Sequence, residues 1–144
     1  MESTIQNSIV ASLLRLGAYL IREGNRLCED CGLTQQQFVV LRFIGNHGPI
    51  SQRKICSGLV FEKSHVSKII KKLRALEVVE IIQSEKDLRV KLIVITDKGN
   101  QITNRMMSIF EAWNQNWLKD LTPFELGHTD LTLRRLSELV KPIN

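Results

Sequence analysis

Apolar side chains recur at steps of three and four residues along most of this 144-residue chain, the pattern of packed amphipathic helices. The first such stretch runs from Ile5 to Leu27 and should end near Gly32, because glycine readily adopts the left-handed conformation found just past a helix end. A second helix should begin after Thr34, which can form a capping box with Gln37, and should end at the Gly48-Pro49 pair.

The middle of the chain predicts a short helix followed by a longer one with two different faces. Ser51 should open the short helix, which runs to about Ser57 and ends at Gly58. The longer helix covers roughly residues 62–76, and its apolar face consists of Val66, Ile69, Ile70, Leu73 and Leu76. The opposite face carries Ser64, Ser67, Lys68 and Lys71, with His65 and Lys72 on its flank. An apolar stripe for docking therefore backs a cationic stripe that also carries hydroxyl groups.

After this helix the hydrophobic period changes. Residues 79–84 and 89–96 are rich in Val and Ile and predict two β-strands, joined by a polar tip at residues 85–88. Thr96 can then cap a long helix with an apolar stripe. The segment Thr122-Pro123-Phe124-Glu125 predicts the start of a last helix, because it combines a capping Thr, a Pro at the first helical position and a reciprocal Glu.

Composition places the chain among globular proteins of one domain. Hydrophobic residues make up 43% and charged residues 24% of the sequence. No run of about 18 apolar residues predicts a membrane span, and the first residues do not have the pattern of a secretory signal. Three cysteines are too few, and odd in number, for a disulfide scaffold. We therefore expect a cytoplasmic protein.

The net charge of +5 is concentrated in one segment. Residues 51–77 contain seven basic side chains against Glu62 and Glu77, whereas the rest of the chain carries equal numbers of basic and acidic groups. Positive charge on and around one helix is suited to phosphate binding, because Lys and Arg displace the counterions of a nucleic acid. Taken alone, the same cluster is also compatible with a solvated helix face of no special purpose.

The order of elements predicts a mainly α fold with a small β-hairpin wing. Residues 33–96 form a winged helix-turn-helix lobe, in which the basic helix enters the major groove of double-stranded DNA and the hairpin tip reaches the minor groove. Residues 1–31 and 97–144 form dimerisation helices within the same single domain, 1–144. A dimer is expected because two recognition helices must lie about 34–36 Å apart to contact successive major grooves. The alternative is that these helices cap a monomer.

Several motifs resemble the MarR family of bacterial and archaeal regulators over about Ile5 to Leu139. They are Leu33-Thr34, Gln37-Phe38, Val40-Leu41, Val66-Ser67-Lys68-Ile69-Ile70, Leu73, Asp87-Leu88-Arg89 and Ile95-Thr96-Asp97-Lys98-Gly99. The resemblance implies a winged-helix homodimer that binds a pseudo-palindromic site. It also implies that Arg89 enters the minor groove while Asp87 holds its guanidinium, although the two could form a plain surface ion pair.

We expect a sequence-specific transcriptional regulator, a repressor released by a small-molecule effector. The predicted DNA-binding residues are Ser51, Gln52, Lys63, Ser64, His65, Ser67, Lys68, Lys71, Lys72, Lys86, Asp87 and Arg89. The alternatives are a non-regulated or activating DNA-binding protein, a redox-responsive regulator that uses cysteine, and a winged-helix module for protein contacts only. We find no catalytic residues, no metal site and no cofactor site in the sequence.

Two acidic residues depart from the family pattern. Glu77 stands where the family usually has a glycine after the recognition helix, so either a different cap or mild strain of roughly 1 kcal/mol is expected. Glu62 suits the helix dipole but would repel a phosphate placed at the start of the recognition helix. The bases that the protein reads therefore do not follow from the sequence.

The resemblance also implies a small, often aromatic or phenolic acid bound between the dimerisation helices and the DNA-binding lobe. Arg15, Tyr19 and Arg22 could receive its carboxylate, or could make hydrogen bonds between subunits instead. Cys28 and Cys31 have the spacing of a redox or zinc motif, but no second pair of ligands follows at zinc spacing. Both can be small residues near a helix end, and Cys56 can be a small buried one.

Overall fold

The computed structural model describes residues 4–140, so the outermost parts of the predicted dimerisation helices, residues 1–3 and 141–144, lie outside the described residues. In chain order the elements are α1 (Ile5–Cys28), a 3₁₀ turn (Glu29–Cys31), α2 (Gln35–His47), α3 (Gln52–Leu59), α4 (Lys63–Ala75), β1 (Val79–Gln83), β2 (Lys91–Ile95), α5 (Asp97–Trp117) and α6 (Pro123–Leu139). The mainly α fold with a two-stranded antiparallel hairpin is therefore confirmed.

Helix starts follow the capping residues that the sequence predicts. The Thr34 hydroxyl accepts a hydrogen bond from the amide of Gln37, whose side chain accepts one from the Thr34 amide. Thr122 and Glu125 form the same reciprocal pair at the start of α6. These pairs satisfy amide groups that have no partner within the first helical turn, so they fix where each helix begins.

The core of the lobe lies between α2, α4 and the hairpin. Its fully buried side chains include Val40, Leu41, Ile44, Ile55, Val66, Leu73 and Val78. In the hairpin, Val79 pairs with Ile95 and Gln83 with Lys91, and Ile50 adds an isolated bridge to Ile93. The apolar face of α4 is thereby held against the rest of the lobe, which fixes the direction of its polar face.

The strands are shorter than predicted, because the turn at the tip includes Arg89. The Val90 amide donates to the Asp87 carbonyl at 2.9 Å, and the Ser84 amide donates to the Val90 carbonyl at 2.9 Å. These bonds form a tight turn at the tip. Arg89 consequently lies in that turn and not in the second strand.

The predicted end of α3 at Gly58 is wrong. The helix continues to Leu59, and Val60 takes the left-handed conformation with φ 55°. Gly58 has a different role: a Cβ there would collide with the ring of Phe43 on α2, so a larger residue would force that ring to shift. The glycine permits close helix packing, and a β-branched residue ends the helix.

The N-terminal half of α1 and all of α6 bury little within one chain. Their side chains Ile5, Ile9, Leu13, Leu16, Phe124 and Leu131 are all exposed, although the helical spacing of the first four predicts a packed stripe. The two helices flank an open groove of about 450 Å³ lined by Ile9, Leu13, Leu133 and Leu136. Within residues 4–140, every helix is too short or too polar to cross a bilayer.

Candidate DNA-binding surface

Helix α4 presents its polar face to solvent because its apolar face is fully used. Val66 and Leu73 are completely buried, and Ile69 and Ile70 nearly so, in a core shared with α2 and α3. Six predicted DNA-binding side chains of this helix are exposed: Lys63, Ser64, Ser67, Lys68, Lys71 and Lys72. The structure therefore brings these six residues together on one helix, and none of the four lysines is part of the core.

His65 differs from its neighbours on this helix. It is half-buried, and its ring contacts that of Phe61 edge-on, with 5.1 Å between the ring centroids. An imidazole held this way has a fixed orientation at the border of the exposed face. His65 also lines a cavity behind α4, so its position suits a ligand at least as well as a phosphate.

The start of α3 is tied to α4 by a side-chain hydrogen bond. The Gln52 amide group donates to the Ser67 hydroxyl at 2.6 Å. Ser51 caps α3, since its hydroxyl accepts from the Lys54 amide at 3.3 Å. Both predicted DNA-binding residues of α3 are half-buried and already hydrogen-bonded, so they position the helices as well as facing the candidate surface.

The wing tip is organised around one carboxylate oxygen. Asp87 Oδ1 accepts from the Arg89 amide at 3.0 Å and from its Nε at 3.4 Å, while the Arg89 side chain is 94% exposed. The contact is a single-oxygen one and not the two-bond fork that Arg and a carboxylate can form. Lys86 lies on the same turn, where its amide donates to the Ser84 hydroxyl at 3.3 Å. Asp87 thus shapes the turn and directs an exposed guanidinium outward.

The C-terminal end of α4 is held by α5, a contact that the sequence analysis missed. Lys98 Nζ donates to the Leu76 carbonyl at 2.9 Å, and the Thr96 hydroxyl donates to the Glu77 carbonyl at 2.8 Å. Lysine suits the negative end of a helix, so the motif residues Thr96 and Lys98 could have indicated it. Glu77 has φ 61°, so of the two expected outcomes the structure shows the left-handed position and not a different cap.

The three predicted effector residues lie on α1 but not around a cavity. Tyr19 packs against Trp113 and Trp117 of α5, with ring centroids 6.0 and 5.9 Å apart. Arg22 lies 6.0 Å from the Tyr19 ring and pairs with Glu23. Arg15 is exposed on the same helix.

A separate cavity of about 330 Å³ lies between α1, α2 and α4. Its lining includes Asn25, Thr34, Gln37, His65 and Lys68. This is the region between the N-terminal helix and the lobe where an effector was expected, but with different residues. The periodicity of α1 could not indicate it, because the cavity depends on how three helices cross.

Two of the cysteines touch each other at the end of α1. The Cys31 thiol donates to the Cys28 carbonyl at 3.0 Å, and burial together with the neighbouring Cys31 raises the pKa of the Cys28 thiol to about 12. All three cysteines are free thiols. Within residues 4–140, no group of three His, Cys, Asp or Glu side chains is placed to hold a metal ion.

Comparison with known proteins shows that part of the chain matches a known domain family. The family described as winged helix DNA-binding domain matches residues 33–99. The chain is 28% identical over 78 residues to the HTH-type transcriptional regulator MgrA of Staphylococcus aureus, a match that spans 54% of this chain and 53% of that protein. The chain thus aligns with about half the length of this curated relative.

Solved structures extend the likeness to nearly the whole chain. A putative MarR-family transcriptional regulator from Listeria monocytogenes, complexed with 26mer DNA, superposes with a TM-score of 0.84 at 22% identity over 96% of this chain and 89% of that one. Staphylococcus aureus MarR in complex with salicylate and kanamycin gives 0.81 at 18% identity over 94% and 91%. These proteins are regulators, not enzymes. Residues 33–99 therefore match a winged helix DNA-binding domain, and the chain as a whole has the fold of the MarR-family transcriptional regulators.

Proposed function

We propose that this protein is a transcriptional repressor that binds a pseudo-palindromic site in double-stranded DNA as a symmetric homodimer. The observation that carries the proposal is the exposed polar face of α4, on which Lys63, Lys68, Lys71 and Lys72 flank the hydroxyl groups of Ser64 and Ser67. Lysine neutralises phosphates and so contributes affinity, whereas hydroxyl groups can bond to base edges in the major groove. One helix thus offers both kinds of contact.

The wing supplies a second contact. Arg89 is almost fully exposed and is held by Asp87 on a short turn, so its guanidinium can enter a narrow minor groove without first losing much side-chain freedom. The negative potential that attracts arginine is stronger where the minor groove is narrow. This geometry supports the role that the family resemblance implies for the two residues.

The dimer is supported by the exposed apolar residues of α1 and α6. Leu131 is 68% exposed and Ile5 is 77% exposed in the single chain, and α6 contains no fully buried residue. Exposed apolar side chains of this number are typical of a surface that a partner covers. A second copy is the natural partner, because two-fold symmetry would present two α4 helices to successive turns of a palindromic site.

The effector is proposed as a small aromatic or phenolic acid in the 330 Å³ cavity behind α4. Lys68 and His65 reach both this cavity and the border of the DNA-facing surface. A carboxylate in the cavity would therefore compete with a DNA phosphate for the ammonium group of Lys68. The salicylate-bound neighbour supports this ligand class. Such a ligand releases DNA only if it binds the DNA-free arrangement more tightly.

Fluorescence anisotropy with the protein's own promoter region tests the DNA-binding proposal. Lys68→Ala and Arg89→Ala should each weaken binding about tenfold at low salt and reduce the slope of log affinity against log salt by about one. Lys119→Ala is the matched control, because Lys119 is an exposed lysine on the turn between α5 and α6. Equal affinities for all four proteins would contradict the assignment of these residues, and negligible duplex binding by the parent protein would favour a module for protein contacts.

Repression and release need separate measurements. Deleting the coding gene should raise the output of a reporter fused to the target promoter, whereas a fall would indicate an activator. Salicylate should lower DNA affinity for the parent protein. A Gln37→Ala variant, changed inside the cavity but away from the exposed face of α4, should bind DNA normally and respond less to salicylate.

A further inference from the structure

Cys28 and Cys31 form a close pair of thiols that DNA binding does not use. Cys28 is the last residue of α1 and Cys31 the last residue of the following 3₁₀ turn. The Cys31 thiol donates to the Cys28 carbonyl at 3.0 Å, and Cys31 is close enough to contribute to the raised pKa of the Cys28 thiol. The Cys31 thiol therefore lies beside Cys28 in the reduced chain.

The backbone spacing permits a bond between them. Residues three apart on a helical turn have Cα atoms about 5 Å apart. That separation falls within the range of about 4.4–6.8 Å over which disulfides form without moving the backbone. The third cysteine, Cys56, lies on α3 and takes no part in this pair.

The two thiols have different surroundings. Cys28 is completely buried in the core, where burial keeps its thiol protonated at neutral pH. Cys31 is half-buried and lines an open cleft of about 440 Å³ together with Asp30, Lys98, Gln101, Ile102 and Arg105. A small oxidant can therefore reach Cys31, and the two cations of this cleft can stabilise negative charge on a departing oxygen.

We infer that Cys31 and Cys28 are a redox-active dithiol that reduces hydroperoxides and closes to a disulfide within one chain. The Cys31 sulfur, as thiolate, attacks one peroxide oxygen, the O–O bond breaks, and the departing oxygen takes up a proton to leave an alcohol or water. The Cys28 sulfur then displaces the hydroxyl group of the Cys31 sulfenic acid. Its proton leaves with that hydroxyl group as a molecule of water, and both sulfurs are oxidised.

The test uses the full-length reduced protein and hydrogen peroxide or cumene hydroperoxide as the oxidant. We expect the free thiols under denaturing conditions to fall from three to one per chain, the intact mass to decrease by two hydrogen atoms, and dithiothreitol to restore both. Peptide mapping should place the disulfide between Cys28 and Cys31. Cys56→Ser is the matched control and should form the same disulfide at the same rate.

Two further variants separate the steps. Cys28→Ala should stop at the Cys31 sulfenic acid, which dimedone traps, and Cys31→Ser should show no fast thiol loss. The inference is overturned if Cys31→Ser loses thiols as fast as the parent protein, or if the oxidised product links two chains or involves Cys56. Anisotropy on the reduced protein tests DNA binding independently, so failure of the disulfide and failure of the proposed function are distinguishable.

Discussion

Val60 occupies a backbone conformation that its side chain disfavours. Its φ of 55° is left-handed, and β-branched residues rarely adopt that region because Cβ approaches the carbonyl oxygen. The side chain is 53% exposed, so its burial offsets little of this conformational cost. Val60→Gly should therefore raise the free energy of unfolding by about 1 kcal/mol in urea titrations.

Gly32 provides the control for this prediction. It is also left-handed, with φ 75°, and a Cβ there would meet no atom within 4 Å. Gly32→Ala should lower the free energy of unfolding by about 1 kcal/mol through conformation alone. If Val60→Gly instead destabilised the protein while Gly32→Ala behaved as expected, the valine side chain would be making a contact that outweighs its strain.

The buried thiol of Cys28 predicts a loss of stability at alkaline pH. Its pKa rises from the ordinary 9.0 to about 12 in the folded chain, chiefly because burial disfavours the thiolate. Below pH 9 both states keep the proton. Between pH 9 and about 12 only the unfolded chain releases it, so the free energy of unfolding should fall by up to about 1.4 kcal/mol per pH unit.

Urea titrations under reducing conditions at about pH 8 and pH 10 measure this effect. Cys28→Ala should remove about 1 kcal/mol of the decline between these values, on top of a constant cost for lost packing. Cys56→Ala should keep the full decline, because it leaves the buried Cys28 thiol in place. An equal decline in Cys28→Ala and the parent protein would contradict the raised pKa.

At the scale of elements, the wing turn offers a test in which charge and geometry predict opposite results. Asp87 holds Arg89 through two hydrogen bonds to one oxygen. Removing a carboxylate near DNA should raise affinity by charge alone. We expect Asp87→Ala to lower the affinity for DNA about fivefold instead, because the guanidinium of Arg89 loses its fixed direction.

Glu85 is the matched control for this test, since it is an exposed carboxylate on the same wing. Glu85→Ala removes the same charge without touching the Asp87 hydrogen bonds, so its DNA affinity should stay equal or rise. Anisotropy titrations of both variants at two salt concentrations give the comparison. An affinity gain in Asp87→Ala equal to that of Glu85→Ala would show that Asp87 acts only through its charge.

The element boundaries show what local chemistry can and cannot predict. Helices begin where Thr34, Thr96 and Thr122 place a hydroxyl over free amides, and this information is contained in a few adjacent residues. The end of α3 is different, because Gly58 is set by the ring of Phe43 on another helix. A contact between distant parts of the chain cannot be recognised from the local sequence pattern.

The same division applies to the candidate site. The cationic face of α4 and the wing arginine could be predicted, because helical periodicity and a short motif place them. The cavity that reaches Lys68 could not be predicted, since it depends on how separate helices cross. Prediction from the sequence therefore succeeded for the surface of an element and failed for the space between elements.

At the scale of the whole molecule, the exposed apolar residues of α1 and α6 must be covered if the protein is to read a palindrome. Leu131→Asp places a charge on α6 at a side chain that is 68% exposed and supports no core within the chain. Burying that charge in a dimer would cost several kcal/mol. The variant should therefore keep its helical content by circular dichroism but sediment as a monomer at micromolar concentration.

Leu88→Asp is the matched control, because Leu88 is 70% exposed but lies on the wing. It should sediment like the parent protein. A monomer would lose the second recognition helix, so Leu131→Asp should also bind a single half-site and a full palindrome with similar affinity, whereas the parent protein should prefer the palindrome strongly. A parent protein that is itself monomeric, or a Leu131→Asp variant that remains dimeric, would exclude this face as the interface that sets the spacing of the two α4 helices.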